Sequence, residues 1–297
     1  MIILNAIIPI AIVVVIGIVL VKWNFVSEQF FSELSKVVFK VFVPIFLFTS
    51  VYKSGVENVG WTIIGYFVPV LTLFVVIALL FSHRIALTAN FSNGVLVGIP
   101  VIVAIAGEQG LTISLAVISV HSLILFTAFY LFSSKVNVTP SRFKTALNIF
   151  ANPVIIGLLL GLFFKYSGIQ IPSQLLSPLE MIAAATLPLA LIILGNSLAQ
   201  TSGFDKTLFR KTILIVTCKL VLLPGIVYVF TAKLLSLSDI QVLTLVILAS
   251  CPTGISVMPF VEPVEKDKLI AHNAIALSTL FSIITIPTII WLVQKLS

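Results

Sequence analysis

Two ionisable side chains lie deep inside long apolar stretches of this sequence, where a charge is unfavourable and commonly functional. Lys219 lies about ten residues into the stretch 209–233, and His121 lies in the middle of the stretch 110–133. Lys219 is a candidate to neutralise a carboxylate or to carry a proton, and the alternative is an ammonium group that reaches back to the nearer end of its stretch. His121 is a candidate to carry a proton, and the alternative is a hydrogen bond between helices.

Two other apolar stretches are each interrupted by polar residues, glycine and proline. The stretch 89–107 contains Asn93, Gly98 and Pro100, and the stretch 239–264 contains Pro252, Thr253 and Ser256. Such a break frees backbone N–H and C=O groups, and the N-terminus of the half-helix that follows carries a partial positive charge that favours anions. The Asn93 amide could donate to a carboxylate, and the two hydroxyl groups could add hydrogen bonds. The alternative is that the prolines only kink the helices.

These residues define the predicted functional site. The predicted substrate-binding residues are Asn93, Gly98, Pro100, Lys219, Pro252, Thr253 and Ser256, and the predicted proton-coupling residues are Lys219 and His121. No metal or cofactor is predicted, because the two cysteines both lie in apolar stretches. The sequence has no H-E-x-x-H motif, no G-x-S-x-G motif and no acid pair in mid-stretch, so we predict that the protein is not an enzyme.

The composition indicates the solvent in which these side chains lie. Hydrophobic residues make up 60% of the 297 residues and charged residues 9%, against about 25% charged in a typical soluble domain. A soluble fold could not cover its surface with so few charges, so the composition indicates a polytopic all-α membrane protein. The net charge of +7 is better explained by basic cytoplasmic loops than by a nucleic-acid partner.

We predict ten membrane spans, each close to the length of about 20 residues that a bilayer requires. They lie at about 4–22, 35–52, 60–82, 89–107, 110–133, 145–165, 178–199, 209–233, 239–264 and 269–294. With both termini outside the cell, eleven basic residues fall in cytoplasmic loops and four in outer loops. This bias predicts a multi-pass protein of the cytoplasmic membrane with both termini on the outer side.

The prolines recur in a similar order in the two halves of the chain. The pairs are Pro9 with Pro153, Pro44 with Pro188, Pro69 with Pro224, and Pro100 with Pro252. Two five-span repeats, 1–143 and 144–297, follow from this pairing. Because five is an odd number, the second repeat is inverted relative to the first. Inverted repeats with broken helices at the midplane are typical of secondary transporters.

Short motifs in six of the spans have a recognisable order. Span four reads Asn93-Gly94-Val95-Leu96-Val97-Gly98-Ile99-Pro100, span six opens with Asn152-Pro153-Val154-Ile155-Ile156-Gly157, and span seven has Leu187-Pro188 followed by Leu194-Gly195-Asn196-Ser197-Leu198. Span eight has Lys219 five residues before Pro224, span nine has Cys251-Pro252-Thr253-Gly254, and span ten has Ser278-Thr279-Leu280 with Ile286-Pro287. Over nearly the whole chain, this pattern resembles the auxin efflux carrier family, which includes plant auxin exporters and bacterial malonate- or malate-type permeases and is related to the bile acid:sodium symporter fold.

The resemblance implies a scaffold part made of spans 1, 2, 6 and 7 and a transport part made of spans 3–5 and 8–10. It also implies that spans four and nine cross at their breaks, that the substrate is a small organic anion, mostly a carboxylate, and that transport follows an elevator-like movement. A homodimer through the scaffold part is a hypothesis that rests on the resemblance alone. The family often has an asparagine where this chain has Ser256, so the paired amide is missing here.

Two questions stay open from the sequence. The coupling ion is either a proton or sodium, because backbone carbonyls from any residue can bind sodium. The alternative function is a transporter-like membrane sensor that binds a small ligand, although the short loops leave little surface to contact a partner.

Overall fold

The computed structural model describes residues 2–54, 60–133, 153–199, 208–261 and 263–296. These residues are helical apart from short connections, and they contain no β-strand beyond an isolated antiparallel bridge between Ser92 and Thr253. The α-helices are α1 (Ile2–Lys22), α2 (Glu28–Val37), α3 (Val43–Ser54), α4 (Gly60–Leu80), α5 (His83–Asn90), α6 (Ile99–Ser133), α7 (Pro153–Ser167), α8 (Ser173–Ala199), α9 (Phe209–Thr217), α10 (Leu223–Tyr228), α11 (Asp239–Ser250), α12 (Met258–Val261) and α13 (Glu265–Leu296).

Six helical segments of the described residues are long and apolar enough to cross a membrane. They are Gln29–Lys53, Gly60–Leu80, Gly94–Ser133, Ser173–Asn196, Phe209–Leu234 and Glu265–Leu296, and the shorter helices Ala11–Lys22 and Asp239–Ser250 are also apolar. The prediction of an all-helical, multi-pass membrane protein is therefore confirmed. The segment Gly94–Ser133 has 40 residues and contains Gly107 at φ 60°, a backbone conformation that interrupts the helix.

Three π-helical turns lie just before prolines. They are Val38–Phe42 before Pro44, Gly94–Gly98 before Pro100, and Cys218–Leu222 before Pro224. Proline has no N–H to donate to the carbonyl four residues earlier, and a π turn inserts one extra residue at the place where the α-helical pattern fails. Such turns are frequent at functional sites. Lys219 lies in one of them, and Asn93 immediately precedes another.

The chain forms two compact units. The first unit comprises Leu4–Glu57 and Val138–Gln200, and the second comprises Met1–Ile3, Asn58–Asn137 and Thr201–Ser297. In the first unit, glycines bring helix backbones into direct contact. A Cβ atom on Gly195 of α8 would meet the Val14 carbonyl oxygen of α1, and one on Gly157 of α7 would meet the Pro44 carbonyl oxygen of α3.

In the second unit, α4, α5 and α6 pack with α10, α11 and α13. Its core contains large buried side chains such as Tyr66, Phe74 and Leu223, and also the buried Lys219. All the residues of the candidate site belong to this unit.

Candidate functional site

Two helices of the second unit break and meet at their breaks. The helix α5 ends at Asn90 and the next helical turn begins at Gly94, while α11 ends at Ser250 and the next turn begins at Ile255. The backbone N–H of Asn93 donates to the Pro252 carbonyl (2.8 Å), and the N–H of Gly254 donates to the Phe91 carbonyl (2.9 Å). The two extended segments therefore satisfy part of each other's freed backbone. Irregular backbone is tolerated inside a membrane only where its polar groups are satisfied within the protein or by water.

The two prolines of the predicted site lie at different positions relative to the breaks. Pro252 lies inside the second break, and its own carbonyl accepts from the Asn93 N–H. Pro100 lies seven residues beyond Asn93, at the start of α6, where it follows a π-helical turn. The first break is made by residues 91–93, which leave the helix without a proline.

Lys219 is completely buried at this crossing. Its Nζ atom donates to the Ser92 hydroxyl oxygen (2.8 Å) and to the Ala249 carbonyl oxygen (2.7 Å). The ammonium group therefore joins α9–α10 to both breaks and does not reach back toward a surface. Within the described ranges, no carboxylate lies within ion-pair distance of it. Lys40, by contrast, is exposed.

Ser92 and Tyr66 are site residues that sequence reasoning missed. The Ser92 hydroxyl lies between the Lys219 ammonium and the Tyr66 hydroxyl, which is 3.1 Å away, and both residues are buried. Ser92 directly precedes Asn93, so its place at the break was a usable signal. Tyr66 lies 26 positions earlier in the sequence, and no pattern along the chain connects it to Lys219.

We expect Ser92→Ala to lower the free energy of unfolding by about 1–3 kcal/mol, because it leaves the buried Lys219 and Tyr66 groups short of a partner. Thermal unfolding in detergent measures this effect. The matched control is Thr72→Ala in α4, since Thr72 is exposed and its hydroxyl only donates to the Val68 carbonyl of its own helix. A loss of stability in Ser92→Ala no larger than that of Thr72→Ala would contradict the described contact network.

Asn93 and Thr253 hold the ends of the two breaks. The Asn93 side-chain oxygen accepts from the Leu96 N–H (3.3 Å) and so caps the following helical turn. Its NH2 group is then the part that could donate to a ligand. Thr253 is buried, its hydroxyl donates to the Thr88 carbonyl (3.0 Å), and its N–H donates to the Ser278 hydroxyl (3.0 Å).

Gly98 and Ser256 have different surroundings from each other. A Cβ atom on Gly98 would lie 3.1 Å from Cys251 Sγ and 3.1 Å from Leu248 Cδ2, so glycine permits the close approach of the two broken helices. Ser256 is exposed and lies just after the second break. The geometry thus gives Gly98 a packing role and leaves the Ser256 hydroxyl free to contact a small molecule outside the protein core.

His121 borders the crossing from α6. Its ring centroid lies 4.7 Å from that of Phe91 and 5.9 Å from that of Tyr66. The side chain is buried, and its Nε2 atom has no hydrogen-bond partner among the described residues. The Oδ1 atom of the buried Asn90, at the end of α5, also has no hydrogen-bond partner among the described residues. His121 is therefore not explained by a hydrogen bond through Nε2 between helices.

Several sequence-based candidates lie elsewhere. Asn148 and Asn152 are outside the described residues, as are the predicted loop cations Lys135, Arg142, Lys144 and Lys206. Asn196 is buried in the other compact unit. In the described part of the chain, no three His, Cys, Asp or Glu side chains come together to hold a metal ion.

The apolar helices define a multi-pass membrane protein in which two broken helices cross. The model of a family described as membrane transport protein matches residues 2–290, and the chain belongs to this family, which is of the auxin efflux carrier type. An uncharacterized transporter from Methanothermobacter thermautotrophicus is similar to the chain, with 25% identity over 304 residues that cover 95% of this chain and 96% of the relative.

Proposed function

We propose that this protein is a secondary transporter of small organic anions, principally carboxylates, and that the substrate binds at the crossing of the two broken helices. The observation that supports this proposal is the buried ammonium group of Lys219, which lies at the crossing with neutral hydrogen-bond partners. Removing a charge from water is unfavourable unless an opposite charge compensates it. A substrate carboxylate would supply that opposite charge.

The groups around Lys219 offer donors to such a carboxylate. An ammonium group has three donors, and two of them are used by Ser92 and Ala249. The Asn93 NH2 group and the N-terminus of the helical turn that begins at Gly94 add further donors and a partial positive charge. The Thr253 hydroxyl holds the second break in place by its hydrogen bond to the Thr88 carbonyl. Ser256 lies just beyond this break in the sequence and is exposed, so its hydroxyl could add a further hydrogen bond.

The same proposal includes ten spans in two inverted repeats, 1–143 and 144–297. It is supported by the length of Gly94–Ser133, which at about 1.5 Å per residue exceeds the bilayer core of about 30 Å and is interrupted at Gly107. This segment then contributes the second half of span four and the whole of span five. The antiparallel pairing of Ser92 with Thr253 is the arrangement that inverted repeats would produce.

We further propose an elevator-like movement of the transport part, spans 3–5 and 8–10, against the scaffold part, spans 1, 2, 6 and 7. The two compact units correspond to these two sets of spans, and the proposed substrate site lies within one of them. We also propose that the protein lies in the cytoplasmic membrane with both termini outside. The exposed aromatic rings Trp23, Trp61 and Trp291 lie near helix ends, where aromatic belts meet the membrane interface.

A thermal-shift screen of the purified protein in detergent tests carboxylate binding. We would add malonate, malate, succinate, lactate, citrate or indole-3-acetate, with and without sodium, at two pH values. A ligand present at 100 times its Kd should stabilise the folded state by about 2.7 kcal/mol. Stabilisation by at least one carboxylate, absent in Lys219→Ala when sodium is omitted, would support the anion site. No shift with any of them would contradict it and favour cations, neutral solutes or a sensor function.

A further inference from the structure

The Lys219 side chain is bound to the C-terminal end of α11. The last-turn carbonyls of Ile247 and Leu248 accept from the Cys251 Sγ (3.3 Å) and the Cys251 N–H (3.4 Å). The next carbonyl, that of Ala249, accepts from Lys219 Nζ at 2.7 Å. The C-terminal end of a helix carries a partial negative charge, which favours a cation at this position.

The groups that hold the ammonium are those that also bind small metal cations. They are a backbone carbonyl oxygen and the Ser92 hydroxyl oxygen, both neutral, at 2.7 Å and 2.8 Å from Nζ. In transporters built from broken helices, unwound carbonyls and the C-terminal ends of half-helices coordinate sodium. Here a lysine side chain from the neighbouring span enters the equivalent environment through the π-helical turn Cys218–Leu222.

We propose that the Lys219 ammonium group is a built-in cation that replaces a sodium ion at the helix crossing, so that the crossing is stable without sodium. The consequence for transport, that carboxylate binding does not require sodium, rests on the proposed function. The presence of a cation position at the crossing does not depend on the proposed function, and it is tested without any substrate.

Thermal unfolding of the purified protein is compared in sodium chloride and in choline chloride of equal concentration, with no carboxylate added. The wild-type protein should unfold at the same temperature in both salts. Lys219→Ala should unfold at a lower temperature in choline chloride and should be restored by sodium or by methylammonium, which supplies the missing ammonium group. At ten times its Kd, the added cation should raise the unfolding temperature by about 2 °C.

The control is Lys40→Ala, because Lys40 is exposed and no cation response is expected after its removal. Lys219→Gln is measured alongside, since it keeps most of the side-chain volume without the charge. The proposal is overturned if sodium stabilises the wild-type protein, or if neither Lys219 variant responds to sodium or methylammonium more than to choline. It is also overturned if neither variant folds when these cations are present.

The two proposals fail in distinguishable ways. If the cation response is absent but carboxylates still bind, only the built-in cation is wrong. If Lys219→Ala responds to sodium but no carboxylate binds to the wild-type protein, the proposed substrate is wrong and the cation position remains.

Discussion

Lys219→Ala is expected to reduce the initial rate of carboxylate uptake into proteoliposomes by about 100-fold at substrate concentrations below KM. Loss of one partner from a buried pair of charges costs about 2–5 kcal/mol, and the lower part of this range corresponds to a factor of about 100. The effect is expected in uptake per folded protein, because Lys219 Nζ lies at the helix crossing with two neutral partners and could contact the substrate directly.

Two companion variants identify the cause of the loss. Lys219→Gln keeps a hydrogen-bond donor without the charge, and we expect it to be nearly as inactive as Lys219→Ala. Lys40→Ala removes an exposed lysine, and we expect uptake close to the wild-type rate. Wild-type uptake by Lys219→Gln would show that the positive charge is not needed, and wild-type uptake by Lys219→Ala would remove Lys219 from the site.

Gly195→Leu is expected to destabilise the folded protein more than Ser92→Ala does. A Cβ atom at Gly195 would meet the Val14 carbonyl oxygen and would lie 2.8 Å from Gly17 Cα and 2.9 Å from Ile18 N. These are backbone atoms of α1, so they cannot rotate away as a side chain could. We expect a loss of about 3 kcal/mol or more, the upper end for overpacking, and a fall in unfolding temperature of about 5 °C or more.

The matched control is Gly225→Ala in α10. A Cβ atom at Gly225 meets no atom within 4 Å. Because alanine is favoured over glycine in a helix by up to about 1 kcal/mol, the variant should be as stable as the wild-type protein or slightly more stable. Equal stability of Gly195→Leu and Gly225→Ala would contradict the close packing of α8 on α1.

The fold class followed from the sequence because a bilayer constrains composition strongly. So few charges in such an apolar chain could indicate only membrane-spanning helices, and the described residues are helical. The breaks were also predictable in outline, since Asn93, Gly94 and Pro252 interrupt apolar stretches. The exact positions of the breaks were less predictable, because residues 91–93 leave the helix without a proline and Pro100 lies beyond the break.

The contacts of the site could not be predicted from the sequence. Ser92 and Lys219 are 127 positions apart, and only the packing of α9 and α10 beside the two breaks brings them together. The sequence also left the direction of Lys219 open between burial and the surface. The π-helical turn before Pro224 changes the direction of side chains by part of a turn, and a regular helical period does not anticipate this shift.

Counterflow in proteoliposomes tests the central claim most directly. Liposomes that contain the purified protein are loaded with an unlabelled carboxylate, and the entry of the same labelled carboxylate is followed for malonate, malate, succinate, lactate, citrate and indole-3-acetate. We predict that at least one of them accumulates in wild-type liposomes and, when sodium is omitted, does not accumulate in protein-free or Lys219→Ala liposomes. Wild-type liposomes that accumulate none of these carboxylates, with sodium or a pH gradient also supplied, would contradict carboxylate transport at this crossing.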